Sequence, residues 1–536
     1  MHPSVDFEPS NNPRSQPRPD DLSRVEHWVN FLAAYFIGKR QLTSPSSIGK
    51  NNGGSDNRDR KLSVKAKVLF AFGAIQEGVV SAGGIVTLIF YNQVLGVSPA
   101  MAGIAFAIAS ISDAITDPLI GTYSDQFKSR IGRRHPFIFF SALPLAVSFF
   151  FLYQPPQELS AMGYFWWLTV FLVLVRVSQT FYLVPHDALG AELTDNYQER
   201  SSIFGYNAVA VSVFAASITM FAYFLIFPST EGYENGLLNE PRYIILASAG
   251  SITIFFSVMI CAVGTMNQIP HLHDTKIREK ITFKKYVREL TDLITNRNYI
   301  AACLSLLTCY ASLGIITVCS GYAYIYVFEI PTEDMIWGGL AKMPGMVVAL
   351  PVLAFMSKFF EKKTTFIIAC TWTAIMVSSP FFFGLFDLLP PPGTAAQLWV
   401  VYGPLALGFA IFPVTQIIID SQLVDVADDH EYRTKRRSEG VIFSVRSFGN
   451  KATAGVGSAL AGFGLEVIGF PENAKVGGLE EATMDGLLII NGPIYLGLYL
   501  LACVFMAFYK IDKEYHARIL SELEVIREKK SLQDDT

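Results

Sequence analysis

Two aspartates, Asp113 and Asp117, stand four residues apart in the stretch SISDAITDPLIG, inside a long apolar block. Each ionised carboxylate there costs roughly 2.5–3.5 kcal/mol on insertion scales, so the pair needs a purpose. Residues four apart lie about 40° apart around a helix, which puts both carboxylates on one face with Thr116 at its margin. Pro118 donates no backbone hydrogen bond, and its ring displaces the carbonyl of Ala114. Two carboxylates, a hydroxyl and a loosened carbonyl make an oxygen cage for a small monovalent cation. The same two carboxylates could instead share a proton, because close carboxylates resist double ionisation. The plainer alternative is a structural ion pair with Lys451 or Arg446.

The elements that must position these residues are membrane helices. The 536-residue chain is 51% hydrophobic and only 16% charged, against about 25% charged for a soluble domain. Its apolar residues gather into blocks about twenty long, the length that crosses a bilayer. Blocks begin near Val68, Ala100, Pro136, Trp166, Ile203 and Tyr243, and resume near Ile300, Trp337, Phe366, Leu398, Gly440 and Leu487. The expected fold is therefore an all-α polytopic membrane protein with twelve spans in two six-helix halves. The expected divisions are a polar tail over 1–62, a first bundle over 63–264, a linker over 265–298, a second bundle over 299–510 and a charged tail over 511–536.

Loops after spans 2, 6, 8 and 10 carry Lys and Arg, as in KSRIGRR and RTKRR, whereas those after spans 1, 3 and 7 carry none. The positive-inside rule puts the basic side, and both termini, in the cytoplasm, which implies the plasma or inner membrane. The net charge of −4 gives no reason to expect a nucleic-acid partner. Within the tail, VEHWVNFLAAYFIG is too short to span and reads as an interfacial helix or a weakly ordered segment. The six cysteines lie in apolar blocks without metal-ligand spacing and read as packing residues.

Further charges inside spans are Glu77, Arg176, Asp187, Lys342, Asp420, Arg446 and Lys451. Spans 2 and 4 both run from outside to inside, and Asp113 and Thr180 each lie about fourteen residues from their outer ends, so the Thr180 hydroxyl can complete the cage. Glu77 and Lys451 sit at matching depth in spans 1 and 11, where Lys451 can couple cation occupancy to solute binding. Arg176 and Asp187, eleven residues apart, share nearly one face of span 4. The halves also echo each other: DALGAELTDNYQER after span 4 resembles DSQLVDVADDHEYR after span 10. Two related six-helix halves are the build of a secondary transporter.

With DAITDP before it, GTYSDQFKSRIGRRHPFI resembles the span 2–3 region of the glycoside–pentoside–hexuronide:cation symporters of the major facilitator superfamily. Melibiose permease is their best-known member, and sodium-dependent lysophospholipid carriers are relatives. The stretch DVADDHEYRTKRRSEGVIFSVRSFGNK resembles the family's loop leading to a span 11 lysine, so the resemblance covers Val68 to Tyr509. It implies a cation surrounded by Asp113, Thr116, Asp117 and Thr180, with Glu77 where a sugar-contacting aspartate stands and Lys451 as the span 11 lysine. It also implies a cytoplasmic gate in which Asp125, Arg130, Arg133 and Arg134 form ion pairs that re-form as the halves rock. The sugar grip of melibiose permease is not reproduced: Leu183, Asp187 and Asn207 or Ala208 stand at its aspartate, tryptophan and arginine.

The leading expectation is Na⁺- or H⁺-coupled symport of a sugar, glycoside or similar small polar solute by a functional monomer without a cofactor. A lipid-like solute is the alternative, kept open by 42 phenylalanines and the missing grip. Enzymatic chemistry would rest on His186 and Asp187, but adjacent helical residues point about 100° apart. A transport-dead scaffold would have no use for the intramembrane charges.

Overall fold

Every apolar block that falls among the described residues is helical. The computed structural model describes residues 62–194, 197–271, 291–434, 442 and 455–534. The tail segment VEHWVNFLAAYFIG, most of the linker, and Arg446 and Lys451 lie outside these residues. Ten helices are long and apolar enough to cross a membrane. They are α1 (Val64–Val94), α2 (Pro99–Gln126), α3 (His135–Leu152), α4 (Ala161–Glu192), α5 (Ser202–Ile226) and α6 (Glu240–Ile269). In the second half they are α7 (Arg297–Tyr326), α9 (Lys362–Leu385), α10 (Ala395–Thr434) and α12 (Glu481–Ala507). Two shorter apolar helices take the remaining places, α8 (Pro344–Phe359) and α11 (Gly455–Val467). A final polar helix, α13, runs Lys513–Asp534. The described chain thus follows the expected six-plus-six order.

Packing repeats with the same period. Helix α1 packs on α6, α2 on α4, and α3 on both α4 and α6; equally, α7 packs on α12, α8 on α10, and α9 on both α10 and α12. The repeat extends to individual charges. Glu192 and Asp425 each stand five residues after the paired aspartates Asp187 and Asp420 of the echoed stretches. Glu192 holds Arg134 at the start of α3, 2.9 Å away, and Asp425 holds Lys362 at the start of α9, 2.7 Å away.

Span 8 departs from expectation. Instead of one helix from Trp337, a short turn of helix, Ile336–Leu340, is followed by a break before Pro344. Pro344 lacks an N–H and cannot bond back into the preceding turn, and Gly338–Gly339 adds little helix propensity. Lys342 falls in this break, its ammonium 5.4 Å from the Phe409 ring centre.

The halves meet at the end opposite the basic loops. A π-helical turn, Phe90–Val94, closes α1 and buries Asn92 and Gln93. Tyr322 of α7 donates to Asn92 at 3.0 Å, and Tyr326 donates to Gln93 at 2.8 Å. Gln93 also accepts from the Ala474 amide and donates to the Pro471 carbonyl in the α11–α12 connection. Near the same end α2 and α11 approach backbone to backbone: a β-carbon on Gly462 would lie 2.3 Å from the Pro99 carbonyl oxygen. Glycine allows that contact, and it presses the aspartate-bearing helix against the second half.

Candidate cation site

The four residues proposed to form the cage do come together, on α2 and α4. Helix α2 starts with Ser98 capping the Met101 amide and runs unbroken through Pro118, so Asp113, Thr116 and Asp117 keep one face. Thr180, 2% exposed on α4, meets that face. Its hydroxyl lies 2.9 Å from Asp117 Oδ1 and 3.3 Å from Asp113 Oδ1. The Thr116 hydroxyl bonds the Ser112 carbonyl at 2.9 Å and lies 3.5 Å from Thr180 Oγ1. Asp113 is 7% exposed, whereas Asp117 is half-buried. The result is a cluster of carboxylate and hydroxyl oxygens of the hard, small-cation type.

Arg176 belongs to this cluster. Its Nη1 lies 4.0 Å from Asp113 Oδ2, although it shares a face with Asp187. Asp187 is 63% exposed at its side chain. Sequence reasoning looked for the counter-charge of Asp113 in span 11; span 4 supplies one instead. Glu77 opens the first turn of Ala74–Ile89 in α1, half-buried.

His186 and Asp187 come closer than helix geometry suggested, Nδ1 to Oδ1 3.6 Å, which is too long for a hydrogen bond. The other ring nitrogen bonds the Phe70 carbonyl at 3.1 Å, and the ring stacks between Phe70 and Tyr182. His186 is thus a packed brace between α4 and α1.

The gate residues form a network whose centre was missed. Arg134 is buried and binds Glu192, Asp125 and the Ser124 hydroxyl. Arg133 reaches Glu192 at 3.1 Å. Arg130 is exposed and takes no part in an ion pair among the described residues. Glu192 is the hub, and the contacts described here staple α2, α3 and α4 together. The available signal was an acid closing span 4 on the same side as the arginine cluster.

The profile of the MFS/sugar transport protein family matches residues 69–513. The chain belongs to the MFS/sugar transport protein family. Among relatives, it is 26% identical to the uncharacterized symporter YnaJ of Bacillus subtilis, covering 87% of this chain and 96% of that one. It is 23% identical to the sodium-dependent lysophosphatidylcholine symporter 1-A of Danio rerio, over 89% of this chain and 91% of the relative. The fold is that of the inward-open xylose transporter XylE from E. coli, with a TM-score of 0.56 at 15% identity over 86% and 98% of the two chains. Family members are multi-pass membrane transporters, and the ten candidate spans and two shorter apolar helices among the described residues are compatible with that build.

Proposed function

We propose that this member of the MFS/sugar transport protein family is a cation-coupled symporter moving a sugar, glycoside or similar small polar solute by alternating access. The carrying observation is the convergence of Asp113, Asp117 and Thr180 from two helices at membrane depth. The cation is cargo. Asp113, Thr116, Asp117 and Thr180 hold it, and a filled cluster neutralises α2 and α4, favouring the conformation that binds solute. Each ligand then tightens the other by the same factor. Glu77, Arg176, Asp187 and Lys451 serve solute binding or its coupling to the ion, and the Asp125–Arg134 network steadies the cytoplasmic gate. The reading further assigns both termini to the cytoplasm, a functional monomer and no cofactor beyond the coupling ion.

A lipid-like solute is the second reading. It is favoured by the similarity to a sodium-dependent lysophosphatidylcholine symporter, which also favours sodium as the coupling ion.

The test needs no knowledge of the solute. The purified protein is melted in sodium chloride and in choline chloride across a pH series, beside Asp113→Asn and Asp117→Asn. A sodium-specific rise in Tm that both substitutions abolish is expected. A pH-dependent stability removed by the same substitutions assigns proton coupling, and indifference to both ions overturns symport through this site.

A further inference from the structure

We infer that the second half carries a phosphate-binding pocket on the basic face, built by Arg297, Arg433 and Lys510. A cavity of about 350 Å³ lies there, lined by these three residues with Asn296, Asn298 and Tyr515. The cations come from three separate elements: the first residue of α7, the last turn of α10 and the joint between α12 and α13. Topology alone asks for basic residues near helix ends; it does not ask them to converge on one cavity.

The walls are braced from behind by one carboxylate. Asp429, wholly buried, accepts from Arg433 Nε at 2.9 Å, the Tyr515 hydroxyl at 2.9 Å and Asn296 Nδ2 at 3.2 Å. Its oxygens are thereby committed to holding α7, α10 and α13 in register. The Arg297 guanidinium lies over the Phe508 ring at 5.3 Å, a cation–π contact that uses none of its N–H donors and leaves them for an anion. The Lys510 amide bonds Asn298 Oδ1 at 2.8 Å, placing that residue's ammonium stem on the rim. Neither Arg297 nor Lys510 forms an ion pair among the described residues, and both are exposed. Three cations line the cavity; Asp429 offsets Arg433 and Asp512 is engaged with the Tyr515 amide, which leaves Arg297 and Lys510 for a phosphate group.

The pocket opens where α7 begins and α12 ends, the level of lipid headgroups, where basic pockets between membrane helices take anionic lipids. An occupant would tie α13 to α7 and α10, because Tyr515 is part of the wall. This inference is independent of the transport reading.

The test uses the full chain purified in neutral detergent. Melting and native mass spectrometry are recorded with phosphatidylglycerol, with phosphatidylcholine and with inorganic phosphate. Phosphatidylglycerol is expected to raise Tm and stay bound, with phosphatidylcholine inert. Lys510→Gln, at an exposed position that leaves folding intact, weakens the binding about fivefold, and Arg297→Gln with Lys510→Gln about thirtyfold. Lys358→Gln, an exposed basic residue on the same face, retains it. A response to inorganic phosphate that the double variant loses keeps the pocket and assigns it a soluble phosphate. No response to either anion, binding that survives the double variant, or equal loss in Lys358→Gln overturns the pocket.

Discussion

At the scale of the residue, Arg176 sets how tightly the proposed site would hold its cation. A guanidinium 4.0 Å from Asp113 repels an entering cation and stands in for it when the cluster is empty. At that distance the attraction between guanidinium and carboxylate, with which an entering cation competes, is of order 4 kcal/mol at an effective dielectric of about 20. Arg176 is itself half-buried, so solvent screens much of this. Arg176→Gln is therefore expected to tighten apparent sodium affinity by about tenfold in a melting titration. Unchanged affinity would show that the guanidinium does not oppose the ion. Thr180 plays the complementary part: one hydroxyl reaches two carboxylates and sets their separation.

At the scale of the element, the two halves use the same brace with different exposure. Arg134 and Glu192 are both buried, whereas Lys362 is 40% exposed at its side chain. Breaking a buried pair costs about 3–5 kcal/mol because a desolvated charge is stranded, while a solvated pair contributes about 0–1 kcal/mol. Asp425 also keeps other neighbours when Lys362 is lost, with the Tyr509 hydroxyl and the His516 ring 3.5 Å away. Glu192→Gln should thus lower Tm clearly and Lys362→Gln only slightly. Equal losses, read by melting of both variants, would contradict the asymmetry.

At the scale of the whole molecule, the end opposite the basic loops is sealed by contacts between halves, and one of them titrates. Glu333, before α8, accepts from the Ser229 amide and hydroxyl after α5, each at 2.7 Å. Partial burial works to raise its carboxyl, but the Ser229 hydrogen bonds outweigh that and hold it below the usual carboxylate range. Its contribution to the seal is therefore complete above that range and is lost as pH falls below it through the depressed value. Asp334 behaves oppositely, pushed up by burial and by the charge of Glu333, so it protonates first and relieves repulsion. Spin labels at Glu231 and Glu329, both outside the helices, would read the separation of the two loops. The wild type should stay closed at neutral pH and open in strong acid, and Glu333→Gln should already be loosened at neutral pH. A separation independent of pH in both proteins would remove Glu333 from the seal.

The sequence by itself determined the membrane class, the order of the helices and the shared face of Asp113, Thr116 and Asp117. Those follow from local rules: block length against bilayer thickness, and 3.6 residues per turn. Thr180 was legible through depth alone, since helices crossing the same slab bring equal depths together. The tertiary structure decided which charges are partners. Arg176 lies beside Asp113, Glu192 became the hub of the arginine cluster, and Asp429 organised a pocket whose cations lie far apart in the chain. Partner choice depends on helix rotation and neighbour identity, which arise from packing among all the helices and leave no periodic trace in any one of them.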